Sequence, residues 1–183
     1  NGLSPSSHPT QVLSDIFTIQ EIKKKSISKL KLCWIGDANN NMMNSLVEAC
    51  IKFSVCLNIA CPKSYQPNKK LISLIKKQKG KIKIFNKKEI AIKNSDVVMT
   101  DKIISLNDKV NKKKKLKSFK NFKVDTKTMN LAKKDAIFLH CLPRGNEVTE
   151  EVFLGKRSKV WQQALNRVYV QKSILLYCFG KLR

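Results

Sequence analysis

Glycine is scarce in this chain, six in 183 residues, and none of them stands in the G-x-G-x-x-G spacing that lets a backbone approach a pyrophosphate. A dinucleotide site is not expected. Arginine is confined to Arg144, Arg157, Arg167 and Arg183, and the basic run Lys112-Lys113-Lys114-Lys115 holds no aromatic residue. Readers of nucleic acid rely on guanidinium forks and stacked rings. The lysine run therefore reads as a solvated face, and no specific nucleic-acid partner is expected. The six cysteines contain no C-x-x-C pair and no regular framework, which suits small reduced hydrophobes of a cytosolic protein. No signal peptide and no apolar run long enough to cross a bilayer is evident, so a soluble, cytoplasmic chain without a membrane partner is expected. There is no internal repeat.

Acidic residues are also few, 13 against 37 basic ones, giving a formal charge of +24. Nearly all of it is lysine, alongside abundant asparagine and isoleucine, a pattern of AT-rich coding. The net field still favours small anionic substrates. A hydrophobic content of 42% over this length can bury one good core. The first residue is Asn1, and a fragment of a longer protein is expected.

Strand-like runs alternate with helix-like ones. The spacing predicts a helix opening at Ser7-His8-Pro9, strands at Leu30–Ile35 and Val55–Ala60, and a helix from about Asn44 to Phe53 between them. A helix over Leu71–Lys79, strands Ile82–Phe85 and Val97–Thr100, and a short helix from Lys87 to Asn94 follow. Lys109–Lys123 reads as a basic, poorly periodic connection. Thr126–Ala132 and Thr149–Phe153 read as short helical turns on either side of a strand ending in Phe138-Leu139-His140-Cys141. Leu165–Phe179 is a helix whose wide apolar face packs on the sheet or on a part of the protein outside this chain. Such alternation implies right-handed crossovers, hence an α/β, Rossmann-like open parallel sheet with helices on both faces. We divide it into residues 1–164, with the opening helix in 1–24, and a terminal helix in 165–183.

Ligands of open parallel sheets sit at the carboxyl ends of the strands. Pro143 stops a ladder and leaves His140, Cys141 and the backbone around Leu142 at that edge. His140 and Cys141 read equally as packed core, and as neighbours on one strand they face opposite ways, which disfavours a dyad between them. Asp101 follows its strand directly and reads either as a partner for a cationic ammonium or as a loop cap. Asn40 offers the donor and acceptor that a zwitterionic amino acid requires. His8, Thr10 and Gln11 lie at a helix start, where an anion or polarised carbonyl is held or where the helix is simply capped.

Asn1-Gly2-Leu3 with His8-Pro9-Thr10-Gln11, Trp34-Ile35-Gly36-Asp37 with Asn40, Thr100-Asp101 with Ser105, His140-Cys141-Leu142-Pro143-Arg144, Glu147-Val148 with Glu151-Val152-Phe153, and Asn166-Arg167 together resemble the ornithine carbamoyltransferases over essentially the whole chain. His-Pro-Thr-Gln is shared with aspartate carbamoyltransferases, whereas His-Cys-Leu-Pro points to the ornithine enzymes. The family's amino-terminal domain, with its Ser-x-Arg-Thr carbamoyl phosphate loop, has no counterpart here.

The resemblance implies that His8 and Gln11 contact the carbamoyl group, that Cys141 and the Leu142 backbone line the reacting centre, and that Arg167 helps hold carbamoyl phosphate. It implies that Asn40, Asp101, Ser105 and Leu106 hold L-ornithine. His8, Cys141 and Arg167 are the expected catalytic residues, with Cys141 a candidate proton acceptor. The implied product is L-citrulline in arginine biosynthesis, made by a homotrimer without metal or redox cofactor. The terminal helix would cross to the domain absent here. Alternatives are a related amine, putrescine or acetylornithine, and a non-catalytic amino-acid-binding module. Two departures stand out. The family's Asp-x-Trp-x-Ser-Met-Gly loop appears as Asp101-Lys102-Ile103-Ile104-Ser105-Leu106-Asn107, and Leu165 replaces the usual Glu before Asn166-Arg167, removing a possible charge partner for Arg167.

Overall fold

Largely apolar runs form the strands of the protein, for which a computed structural model describes residues 1–78, 81–104 and 111–181. Strands β1 (Lys31–Ile35), β2 (Cys56–Ala60), β3 (Ile82–Phe85), β4 (Val97–Asp101) and β5 (Ile137–Cys141) make one parallel sheet in the order β3-β2-β1-β4-β5. Alternate residues of each strand face opposite sides, so a sheet covered on both faces favours apolar residues without alternation; the exceptions include Asn58, buried with its Nδ2 donating to Ala91 O at 2.6 Å, and the exposed Lys83 of the edge strand β3. In β1, Leu32 and Trp34 enter one core and Cys33 and Ile35 the other. The first core is closed by helices α1 (Pro9–Lys23), α2 (Asn41–Lys52) and α3 (Lys69–Lys76). The second is closed by α4 (Lys88–Ala91), by Phe119 and Phe122 just beyond α5 (Lys112–Ser118), by α6 (Thr126–Met129) and by α7 (Glu150–Phe153). The strand order reverses between β1 and β4, which opens a crevice outside their carboxyl ends.

Several helices end short of the sequence expectation, α4 by three residues, and three elements differ from it more than in their ends. Helix α2 starts at Asn41 because Asn40 caps it, its Oδ1 accepting from Met43 N at 2.8 Å. The basic connection contains α5, capped by Asn111 (3.2 Å to Lys114 N); its buried residue is Lys115, while its one apolar residue, Leu116, is exposed, so no apolar periodicity marks it. The last helix, α8 (Val160–Cys178), starts five residues before Leu165, since Lys159 N donates to Phe138 O (2.9 Å) and ties the helix start to β5. This helix lies on α1 by a polar edge, with Gln163 and Asn166 buried while Leu165, Val168 and Leu175 are exposed. Its apolar face therefore does not cover the sheet. Among the described residues no helix is long and apolar enough to cross a membrane, and no cluster suits a metal ion.

Candidate active site

The ends of β1, β4 and β5 supply the floor of the crevice. Gly36 follows β1 with φ +149°, and a Cβ there would come within 3.2 Å of Thr100 Oγ1, which itself donates to Ile35 O at 2.6 Å. Glycine is needed at this point for both reasons. Asp37, next in line, accepts from Asn39 N at 2.9 Å through Oδ1 and meets Lys115 Nζ at 2.6 Å through Oδ2. Lys115 is buried and stands 5.5 Å from the Tyr65 ring centroid, so at this position the lysine run is not solvated. Asn40 is half-buried and its carboxamide oxygen is engaged in capping α2.

Asp101 pairs in register with Cys141 across β4 and β5. Burial pushes its carboxyl up to about 6, against the Lys102 N–H, which it accepts at 2.6 Å, and against the field of His140. Glu147 and Asp37 push it the same way as burial. The expected contacts of Ser105 and Leu106 fall outside the described residues.

At the end of β5 the chain turns through a cis Leu142–Pro143 bond. His140 and Cys141 face opposite sides, as strand geometry requires: the Cys141 side packs with the core under α1, and His140 is 5.9 Å from the Phe153 ring. His140 Nε2 meets Glu147 Oε1 at 2.8 Å, and the same oxygen accepts from Gly145 N at 2.6 Å. Burial acts to raise Glu147, but these two hydrogen bonds, together with the backbone N–H of Glu147 and the charge of His140, hold the carboxyl below its ordinary value. Burial, Asp101 and Asp15 push the Cys141 thiol well above its usual range, with Arg167 opposing. A free thiolate is thus disfavoured, which weighs against Cys141 as the proton acceptor.

Helix α1 brings His8 and Gln11 to this edge. His8 is the N-cap residue of α1, its carbonyl accepting from Val12 N at 3.3 Å, but its side chain does not cap: Nδ1 donates to Gly2 O at 2.7 Å, and Thr10 Oγ1 donates to the same carbonyl at 2.9 Å. Thr10 therefore holds the folded-back Asn1–Leu3 segment. Burial lowers the His8 pKa against that hydrogen bond, and Arg167 lowers it further. With Nδ1–H committed to Gly2, the neutral ring offers Nε2 as an acceptor, so donation from His8 to a carbonyl oxygen requires the imidazolium. Gln11 Nε2 donates to Asp15 Oδ1 at 2.8 Å.

Arg167 stands on α8 beside a cavity of about 270 Å³ that Gln11, Leu142 and Gln163 also line. With its carboxamide oxygen turned toward the guanidinium, Gln171 accepts from Arg167 Nη2 at 3.0 Å and Nε at 3.3 Å. Residues two apart on a helix do not face each other, so Leu165 does not occupy the place of an in-helix partner for Arg167. The charge of Arg167 acts on His8, Asp15 and Cys141 alike. Of the expected residues, the structure thus gathers Gln11, Leu142 and Arg167 on one cavity, with His8 and Cys141 in the field of that arginine and Asp101 beside Cys141. Sequence reasoning missed Asp15, Gln163 and Lys115. Only Asp15 carried a legible signal, four residues from Gln11 and hence on the same helix face.

A family model described as aspartate/ornithine carbamoyltransferase, Asp/Orn binding domain, matches residues 28–178. An ornithine carbamoyltransferase of Caldicellulosiruptor saccharolyticus is 42% identical over the whole chain, and one of Methanosarcina acetivorans 38% identical over 96% of it. The chain spans 61% and 58% of those proteins, their carboxyl-terminal part. The crystal structure of an anabolic ornithine carbamoyltransferase from Campylobacter jejuni superimposes with a TM-score of 0.90 at 40% identity, covering 99% of this chain and 61% of that one. An ornithine carbamoyltransferase structure from Pyrococcus furiosus gives 0.89 at 36% identity, covering all of this chain and 60% of that one. With a five-stranded parallel sheet and the His140-Cys141-Leu142-Pro143 strand end in place, the chain belongs to the aspartate/ornithine carbamoyltransferase family and carries its Asp/Orn-binding domain.

Proposed function

We propose that this chain is the amino-acid-binding part of an ornithine carbamoyltransferase, which moves the carbamoyl group of carbamoyl phosphate to the δ-amine of L-ornithine. The products are L-citrulline and phosphate, in the service of arginine biosynthesis, and the whole enzyme is a cytoplasmic homotrimer without cofactor. Residues 1–164 form the binding unit, and 165–183, which hold most of α8, pack toward the amino-terminal domain of the whole enzyme. The observation that carries the reading is the pairing of Asp101 with Cys141 beside a cavity edged by Gln11, Leu142 and Arg167.

The roles follow from charge. The neutral δ-amine attacks the carbamoyl carbon, a C–N bond forms, and negative charge gathers on the carbonyl oxygen. Arg167 and backbone N–H groups near Leu142 oppose that charge, an effect worth roughly 3 kcal/mol per donor. Collapse breaks the C–O bond to phosphate, and the extra proton of the amine passes to the departing phosphate. An amine of pKa about 10.4 is charged at neutral pH. Asp101, in register with Cys141 at the end of β5, receives the α-ammonium at the amino-acid end of ornithine, assisted by Asn40, Ser105 and Leu106, so that the δ-amine is left to the reacting centre. Cys141 orients the reacting centre, and His8 and Gln11 hold the carbamoyl group.

The test is citrulline formation by this chain completed with the amino-terminal part of a relative, with putrescine and acetylornithine in parallel. Turnover with ornithine that collapses in Asp101→Ala is expected. A preference for another amine, or no turnover by a folded trimer, overturns the reading.

A further inference from the structure

We propose that Asp15 is the positioning residue of the carbamoyl site: its carboxylate turns the Gln11 carboxamide so that Oε1 faces the cavity shared with Arg167, and it locks α8 in place through Gln163. This deepens the function proposed above and rests on it for the identity of the ligand.

An ionised carboxylate only accepts hydrogen bonds. Asp15 Oδ1 takes Gln11 Nε2 at 2.8 Å and Gln163 Nε2 at 2.7 Å, so both amides must present their NH₂ groups to it. Gln163 cannot rotate away, because its Oε1 accepts from His140 N at 3.0 Å. A continuous chain of hydrogen bonds thus runs from β5 through α8 to α1, and Gln11 Oε1 is left as the free end of it. An oxygen acceptor there suits the NH₂ of a carbamoyl group. A reversed amide would set donor against donor.

The carboxylate is an expensive way to hold two helices. Asp15 is 1% exposed, and its Oδ2 is buried without a hydrogen-bond partner among the described residues. A buried acceptor left unpaired costs free energy and calls for an explanation. The groups that face it are Arg167 from α8, Asp101 at the end of β4 and Cys141 at the end of β5. Helix α2, also packed on α1, carries its charges, Glu48 and Lys52, at exposed positions. Burial pushes the Asp15 carboxyl up to about 6, Gln163, Gln11 and Arg167 pull against it, and Asp101 adds to the rise. The acceptor is therefore charged at neutral pH and is lost on mild acidification.

Two measurements test this separately from the reaction. In the chain itself, the side-chain NH₂ resonances of Gln11 and Gln163, assigned by single substitution, are expected to titrate together with a midpoint near 6. The titration persists in Asp101→Asn and vanishes in Asp15→Asn. Its absence from the unsubstituted chain, or its survival in Asp15→Asn, overturns the proposal. In the completed enzyme, Asp15→Ala is expected to raise KM for carbamoyl phosphate about tenfold with little change in kcat, the size of one lost hydrogen bond. Asp15→Asn, which keeps an oxygen toward Gln163, restores most of the affinity. In a Gln11→Ala background Asp15→Ala adds nothing, whereas additive losses would mean that Asp15 only supports the fold. An inactive completed enzyme would remove the assigned reaction and leave the amide titration to decide the geometry.

Discussion

Lys115 Nζ lies 2.6 Å from Asp37 Oδ2, and both side chains are less than one-tenth exposed. The pair joins α5 to the turn that follows β1. Asp37 is fixed a second time by Trp34 Nε1, which donates to its carbonyl at 3.1 Å. The turn at the crevice is thereby held from two sides.

Removing one partner of a buried pair strands the other charge, a loss of about 3–5 kcal/mol. Lys115→Met is expected to show this as a lower urea midpoint with an unchanged slope. The neighbouring exposed Lys114→Met is expected to change stability by less than about 0.5 kcal/mol. Equal effects at the two positions would mean that Lys115 is solvated after all.

Asp101 offers the opposite case, a charge that costs stability. Its carboxyl titrates at about 6 in the folded chain against an ordinary value of 3.8. Between those values the folded state holds a proton that the unfolded state has released. Stability from this group therefore rises as pH falls from about 6 toward 4, and is lowest above 6. Asp101→Asn is expected to stabilise the protein at pH 7.5 by about 3 kcal/mol, given 1.36 kcal/mol per pKa unit, and to abolish most ornithine turnover. Thermal melts of both proteins at pH 4.5 and 7.5 check it. The advantage should shrink at the lower pH.

The contrast between these two acids shows what a sequence makes legible. Strands β1, β4 and β5 were readable because burial on both faces writes itself as unbroken apolar runs such as Ile137-Phe138-Leu139. Asp101 and Cys141 were readable because each ends such a run. Lys115 was not, since a lysine run looks the same whether one member is solvated or paired beneath a tyrosine. Helix α8 misled for a related reason: its apolar residues suggested the packed face, while Gln163 and Asn166 make the actual contact with α1. Asp15 and Gln163 are 148 residues apart, and no local pattern announces that pairing.

Cys141 separates two accounts of proton transfer. Burial, Asp101 and Asp15 hold the thiol protonated across the physiological range. A residue in that state contributes contacts and not a titration. Cys141→Ala is expected to lower turnover about tenfold, as the loss of one polar contact does, and to leave both limbs of the pH profile from 6 to 9 in place. Displacement of a limb would make the thiolate the proton acceptor.

Arg167 is answered along its own helix by Gln171, one turn further on, through an uncharged oxygen. The guanidinium thus keeps its full charge for an anion. Gln171→Glu places a carboxylate at the same i, i+4 spacing, where ion pairs form readily. At about 4 Å in a largely aqueous setting such a pair is worth about 1 kcal/mol, so KM for carbamoyl phosphate is expected to rise about fivefold, with the effect fading at high salt. Leu165→Glu puts the same charge only two residues away, but on the far side of the helix and 48% exposed. It is expected to leave KM within twofold, about 0.4 kcal/mol. The reverse ranking would mean that Arg167 turns away from Gln171 and toward the Leu165 side when the anion is bound.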